Sequence, residues 1–266
     1  MGAEIRAAGG GAGRRLAARW LPALVLFLAS LGLWQVLVDA MNVRRYVLPS
    51  PADIGGVIAE DWARLLRHVG WTMVEAVGGF ALGSAAAFVA AVMFVHVRMV
   101  ERAMYPWAII LQTVPVIAIA PLLTIWLGFG IAPKVVIAAI VCFFPVLVNT
   151  TRGLRAASPE TMELMQILSA SRWQVFRRVR VITALPFLMA ALKIAATLSV
   201  IGAIVGEFTG ADRGIGYVVV SAGYRLDAPE LFAGIAFSCL AAVLFFGAVT
   251  ALERAVLYWP GARAGA

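Results

Sequence analysis

The chain has 266 residues, of which 62% are hydrophobic and 14% charged, with a mean hydropathy of +0.92 and a formal net charge of +8. Soluble domains carry about 25% charge, and here the apolar residues are gathered in long runs, which excludes an ordinary soluble globule and marks a polytopic membrane protein. In a soluble chain the basic excess would suggest nucleic acid; in a membrane chain it orients helices, and no nucleic-acid partner is expected.

Crossing ~30 Å of hydrocarbon takes about 20 apolar residues. Stretches of that kind are expected as helices near 21–38, 69–95, 103–127, 131–150, 184–206 and 231–257, which makes an all-α protein with six transmembrane helices. They form one domain, 21–257, between an N-terminal tail 1–20 and a C-terminal tail 258–266. The first stretch follows Arg14, Arg15 and Arg19, and Val38-Asp39-Ala40 has the small-x-small form of a leader cleavage site. Its apolar run is longer than the ~7–15 residues of a leader core and contains Trp34, so an uncleaved helix is expected.

With the N-terminus cytoplasmic, the inner segments hold Arg6, Arg14, Arg15, Arg19, Arg98, Arg102, Arg152, Arg155, Arg172, Arg177, Arg178, Arg180, Arg254 and Arg263. The outer segments hold only Arg44, Arg45, Arg64, Arg67, Lys134, Arg213 and Arg225. That asymmetry is what the positive-inside rule expects, and it places both termini and the loop 151–183 in the cytoplasm. Cys142 and Cys239 lie in apolar runs with no CxxC spacing and read as buried, inert thiols. His68 and His96 are expected in loops on opposite faces, which argues against a haem or a metal site.

The segment Glu160–Arg180 looks like the surface of a soluble protein. Ser158-Pro159-Glu160 is a helix start, with an N-cap, a first-position proline and an acid against the dipole. Met162, Met165 and Leu168, with Leu164 and Ile167, recur at helical spacing. Ser169, Ala170 and Ser171 break the pattern, and Ser171 with Gln174 fits a capping box that opens a second helix from Arg172. Trp173, Phe176 and Val179 stripe that second helix among arginines, which suits an anionic bilayer surface. Glu160 and Glu163 would be repelled there, so a protein groove suits the first helix better.

Within the membrane stretches, Gln112, Thr113, Asn149, Thr150, Thr197 and Ser199 are candidates for a substrate path, the alternative for the hydroxyls being hydrogen bonds to their own helix. Pro115 and Pro121 are expected to kink the third span beside that path. Glu75, Lys193 and Glu207 are ionisable groups at membrane depth. Counted from the span ends, Glu75 and Lys193 differ by ~8 Å in depth, and an ion pair between them is the favoured reading. Glu207, beside Gly210, Gly214 and Gly216, is expected to shape an outer loop or gate.

Glu163-Leu164-Met165 followed by Ser169 resembles the Glu-Ala-Ala…Gly loop of bacterial ABC-importer permeases. Leu48-Pro49-Ser50-Pro51, Gln112-Thr113-Val114-Pro115, Ala120-Pro121-Leu122, Leu127-Gly128-Phe129-Gly130, Leu185-Pro186, Lys193-Ile194-Ala195, Gly206-Glu207-Phe208 and Gly214-Ile215-Gly216-Tyr217 extend the likeness. The ordered set resembles the nitrate/sulfonate/taurine-type permeases and the related pyrimidine- and riboflavin-precursor permeases, from about Leu48 onward. The chain departs from the pattern at Leu164-Met165 for Ala-Ala, at Ser169 for the turn glycine, and in lacking a proline near Ile182. Serine takes a left-handed turn less cheaply than glycine.

The resemblance implies a type I importer permease fold with a cytoplasmic coupling helix pair, in a bacterial inner membrane. It implies a second permease copy, two ATPase subunits that carry ATP and Mg, and a periplasmic or lipid-anchored binding protein. This chain would bind no cofactor and no metal and would not itself be an enzyme; its lysines are followed by Val135 and Ile194, not by the Ser or Thr of a phosphate loop. Carried over, Glu163 holds the ATPase surface through a polar contact, Met162, Met165 and Leu168 fill its groove, and Ser169 and Ala170 form the turn, with Glu160, Ser171 and Arg172 in the same coupling segment. The alternative is an ion-coupled secondary transporter using Glu75, Lys193 and Glu207, which leaves the cytoplasmic helix pair unexplained.

Overall fold

A computed structural model describes residues 9–258; the outermost parts of both expected tails lie outside the described residues. Among those described, every regular element is helical. In chain order they are α1 (Gly9–Ala40), α2 (Pro51–His96), α3 (Arg98–Thr113), α4 (Val116–Leu127), α5 (Ile131–Arg155), α6 (Pro159–Ile167) and α7 (Arg172–Val175). A π-helical turn, Phe176–Arg180, then leads into α8 (Val181–Glu207), followed by α9 (Ile215–Tyr224) and α10 (Ala228–Val256).

Among the described residues, five stretches are long and apolar enough to cross a membrane: Leu21–Ala40, Pro51–His96, Ile131–Arg155, Arg172–Glu207 and Ala228–Val256. The third expected span is not one helix. Proline pushes the residue before it out of the α region, and the chain leaves the helix at Val114-Pro115, giving α3 and α4 in place of 103–127. Pro121, also expected to kink the chain, is carried inside α4. The second span differs in the other direction. Its helix has 46 residues and starts at Pro51, so it is about 69 Å long and includes His68, expected in a loop. Cys239 is exposed, against the expectation, whereas Cys142 is buried with its Sγ on the Ala195 carbonyl at 3.2 Å.

The helices fold as two compact bodies: the described residues up to Trp62 with Ala222–Ala233, and Ala63–Ser221 with the residues from Gly234 on. In the first body, Pro51 opens α2 behind a reciprocal cap. Ser50 Oγ accepts from the Asp53 N–H at 3.2 Å, and Asp53 accepts from the Ser50 N–H at 3.1 Å. Arg45 pairs with Asp53 at 3.2 Å, and Gln35 of α1 accepts from the Ala52 N–H at 3.1 Å, tying α1 to the start of α2. Trp34 meets Phe232 with ring centroids 5.8 Å apart.

In the second body, α5 is pressed between α2 and α8 by glycine. Lipid is as apolar as leucine, so helices associate in it by close packing, and small residues four apart allow the closest approach. Gly79 and Gly83 of α2 and Gly202 and Gly206 of α8 have that spacing. A Cβ on Gly79 would sit 2.7 Å from the Val135 carbonyl oxygen, and one on Gly202 would sit 2.8 Å from the Ala138 Cα. The contacts ascend together along α2 and α5, so these run parallel; along α8 they descend, so α8 runs antiparallel. Ala87, Ala91, Phe94, Cys142, Val146, Leu147, Leu154, Ala184 and Ala195 fill the adjoining core.

Candidate functional site

The segment after α5 is shaped almost entirely by its own backbone and short side chains. Ser158 accepts from the Thr161 N–H at 3.3 Å with Pro159 in the first turn, and α6 follows. The Glu160 carboxylate, hydrogen-bonded to its own N–H and to Ser158, is held below the usual glutamate range. At the far end the Ala170 N–H reaches the Met165 carbonyl and the Ser169 N–H the Gln166 carbonyl, both at 2.9 Å. That is a complete Schellman stop, and Ser169 takes the left-handed conformation it requires, at φ 51°. The glycine of the family pattern is thus replaced without loss of the turn. Ser171 and Gln174 then cap each other, with the Ser171 N–H on the Gln174 amide oxygen at 2.8 Å. The second helix of the expected pair is not a separate one: α7 runs through the π turn directly into α8.

No residue of α6 is buried. Met162 and Met165 are half-buried, and the open apolar row is Leu164, Ile167 and Leu168, with Ile167 80% exposed. Glu163 and Arg172 are exposed, and Ala170 is half-buried. The π turn is where this segment enters the core: Phe176 packs against the main cluster and meets His96 edge-on at 5.1 Å. Nearby, Arg155 at the end of α5 grips Glu101 of α3 with two hydrogen bonds, 2.8 and 2.6 Å. The guanidinium holds the Glu101 carboxyl below its ordinary range.

The ionisable groups at membrane depth are paired differently from the expected Glu75–Lys193 contact. Glu75, 1% exposed, meets Lys134 at 3.3 Å, and Lys193 meets Glu253 at 2.9 Å. The glycine contacts explain the change. Glu75 lies one turn before Gly79, and Lys134 one turn before Ala138, on parallel helices. On α8, Gly206 is at the Lys134 level, so Lys193, thirteen residues away, is about 20 Å along the axis. Glu207 completes the cluster: Thr72 Oγ1 donates to it at 2.7 Å, and it accepts from the Gly216 N–H at 2.5 Å. Thr72 also accepts from the Ile215 N–H at 2.8 Å, and His68 Nδ1 from the Gly214 N–H at 3.2 Å. Three of the amides that open α9 are thereby satisfied by α2 and α8, and the negative end of the network faces the positive end of that helix.

The expected path residues are not brought together. Thr113, Thr197 and Ser199 hydrogen-bond to carbonyls three residues earlier, at 2.7, 2.9 and 2.8 Å, and Asn149 to the Pro145 carbonyl at 2.8 Å. Thr150 is fully buried with no partner for its hydroxyl, while Gln112 and Pro115 are exposed. Sequence reasoning missed Lys134 and Thr72 as network members, and Glu101 and Arg155. The paired glycine spacings at 79/83 and 202/206 were the available signal for the first two.

Residues 65–258 match the model of the family described as binding-protein-dependent transport system inner membrane component. The chain belongs to that family. Among curated relatives of this transport component, the formylaminopyrimidine transport permease protein ThiX of Halalkalibacterium halodurans is 34% identical over 88% of this chain and 94% of its own length. The riboflavin transport system permease protein RibX of Chloroflexus aurantiacus is 33% identical over 90% and 89%. Among solved structures, an inward-facing form of the MetNI methionine ABC transporter superposes with a TM-score of 0.57 at 20% identity, covering 72% of this chain and 94% of that one. At that identity the likeness concerns the fold.

Proposed function

We propose that this inner membrane component forms half of the translocation path of an ATP-driven importer, with a second copy of itself beside it. Two separate ATPase subunits would bind ATP and Mg, and a periplasmic or lipid-anchored binding protein would deliver the solute. The arginine asymmetry supports cytoplasmic termini and a cytoplasmic α6, with α3 and α4 together serving as the third of six spans in a bacterial inner membrane. The observation that carries the reading is α6 itself: a helix capped at both ends that buries none of its side chains. Leu164, Ile167 and Leu168 form its apolar row, with Glu163 beside them, and this is the form of a helix seated in a partner's groove. Met162 and Met165, expected in the groove as well, are half-buried.

The solute is proposed to be a nitrogen heterocycle of the pyrimidine or riboflavin-precursor kind rather than a sulfonate. Both membrane-depth lysines are already neutralised by Glu75 and Glu253, so they offer an anion little. These pairings also speak against ion-coupled transport through Glu75 and Lys193. Glu163→Arg should leave the chain inserted and dimeric while cutting solute uptake per ATP hydrolysed by roughly tenfold or more, a ~1.4 kcal/mol effect or larger for a lost charge-assisted contact. Uptake into proteoliposomes at unchanged coupling would refute the docking role.

A further inference from the structure

The acidic and the basic halves of the segment 159–180 face different chemistry. α6 carries Glu160 and Glu163, whereas residues 172–180 carry Arg172, Arg177, Arg178 and Arg180 and no acidic residue. Arg172, Arg177 and Arg178 are exposed, and among the described residues none of the four has a carboxylate within ion-pair reach. Arg155, by contrast, is matched by Glu101. Four guanidinium groups on nine residues repel one another unless anions from outside the chain lie among them.

Their position identifies the anion. Arg172–Glu207 is one continuous membrane-crossing stretch of 36 residues, and its apolar sequence begins at Val181. Arg177, Arg178 and Arg180 therefore lie within about 6 Å of that boundary along the axis, in the layer that headgroups occupy. Trp173, 66% exposed and stacked on Phe176 at 5.6 Å, is the amphipathic ring that this layer favours. The π turn roots the segment through Phe176 while leaving Arg177 and Arg178 open. Guanidinium is the planar fork that binds phosphate oxygens in pairs.

We propose that Arg177, Arg178 and Arg180, with Trp173 alongside, form a binding surface for the phosphate headgroups of anionic phospholipid, beside and distinct from the groove-docking face of α6. Lipid contact at this junction fixes the height of the π turn in the bilayer and neutralises the arginine cluster.

The test uses the full-length chain in nanodiscs of equal parts phosphatidylcholine and phosphatidylglycerol, followed by native mass spectrometry of the lipids retained on release. Wild type should retain phosphatidylglycerol over phosphatidylcholine by on the order of tenfold. The triple variant Arg177→Gln, Arg178→Gln, Arg180→Gln should lose most of that preference, and the corresponding triple lysine variant should keep a large part of it. Replacing Arg44 and Arg45 by Gln should leave the preference unchanged, which controls for general charge. Equal retention of the two lipids by wild type, or an undiminished preference in the glutamine triple, overturns the proposal. So does loss of a co-purifying ATPase in that triple with lipid retention intact, which would make the arginines a protein contact. The membrane test needs no ATPase, so its failure is separable from failure of the docking role of α6.

Discussion

The buried network around Lys134 and the segment 156–180 are both polar islands in an apolar chain, and they make their contacts in opposite ways. In the network, side chains from α2, α5 and α8 reach across tens of residues of sequence, and the start of α9 is held by groups it does not itself supply. In the segment, nearly every hydrogen bond spans three to five residues, and the apolar row of α6 is left open. A polar cluster tied together by tertiary contacts is architecture. One that closes locally and leaves its apolar face uncovered is shaped for something outside the chain.

That contrast is sharpest where substitution should hurt the fold in one region and spare it in the other. The largest effect is expected for Lys134→Ala, which leaves Glu75 and Glu207 as uncompensated buried carboxylates. Breaking a buried pair this way costs about 3–5 kcal/mol, and a lowered melting temperature in detergent measures it. Unchanged melting would mean that the cluster is wetter than its burial implies. Thr72→Ala comes next, removing the group that bridges Glu207 and the Ile215 N–H, at about 1–3 kcal/mol; hydrogen exchange should then rise at the start of α9 before it rises elsewhere.

In the segment, Ser169→Gly should stabilise rather than weaken, by about 1 kcal/mol, because it relieves a left-handed serine. Proteolytic nicking between α6 and α7 should slow, and faster nicking would contradict the turn geometry. The smallest effect is the pH response of Glu101. Its folded pKa is depressed by Arg155, so its stabilising contribution is full above the ordinary glutamate value and is lost as pH falls through the lowered one. The pair is partly exposed, so the term is on the order of a few tenths of a kcal/mol. Comparing melting at pH 6 and pH 3 in wild type and Arg155→Gln should show it as a difference that vanishes in the variant.

What could be read from the sequence divides along the same line. The caps at Ser158-Pro159 and at Ser171/Gln174 are local chemistry and were legible three residues at a time. The family, too, was legible, because its motifs are ordered along the chain. The partners of Glu75 and Lys193 were not, because depth counted from span ends carries the error of every boundary between them. Which helices touch was written in the glycine spacings, and only with Gly79 and Gly206 laid on α5 does Lys134 come to stand between Glu75 and α8. The break at Pro115 was foreseen as a kink, yet Pro121 in the same stretch stays helical. Tertiary packing, which the sequence does not print, decides between such prolines.

The left-handed stop at Ser169 has a further consequence, which concerns time rather than energy. A loop that must fold onto its partner is ordered anew at each encounter, and every ordered residue subtracts from the affinity. Here the bend and both helix ends are already set before any partner arrives. Association can then proceed as a rigid key entering a slot, at a rate governed by collision and orientation. A displacement of the slot would likewise reach the root at Phe176 without first being spent on rearranging the key.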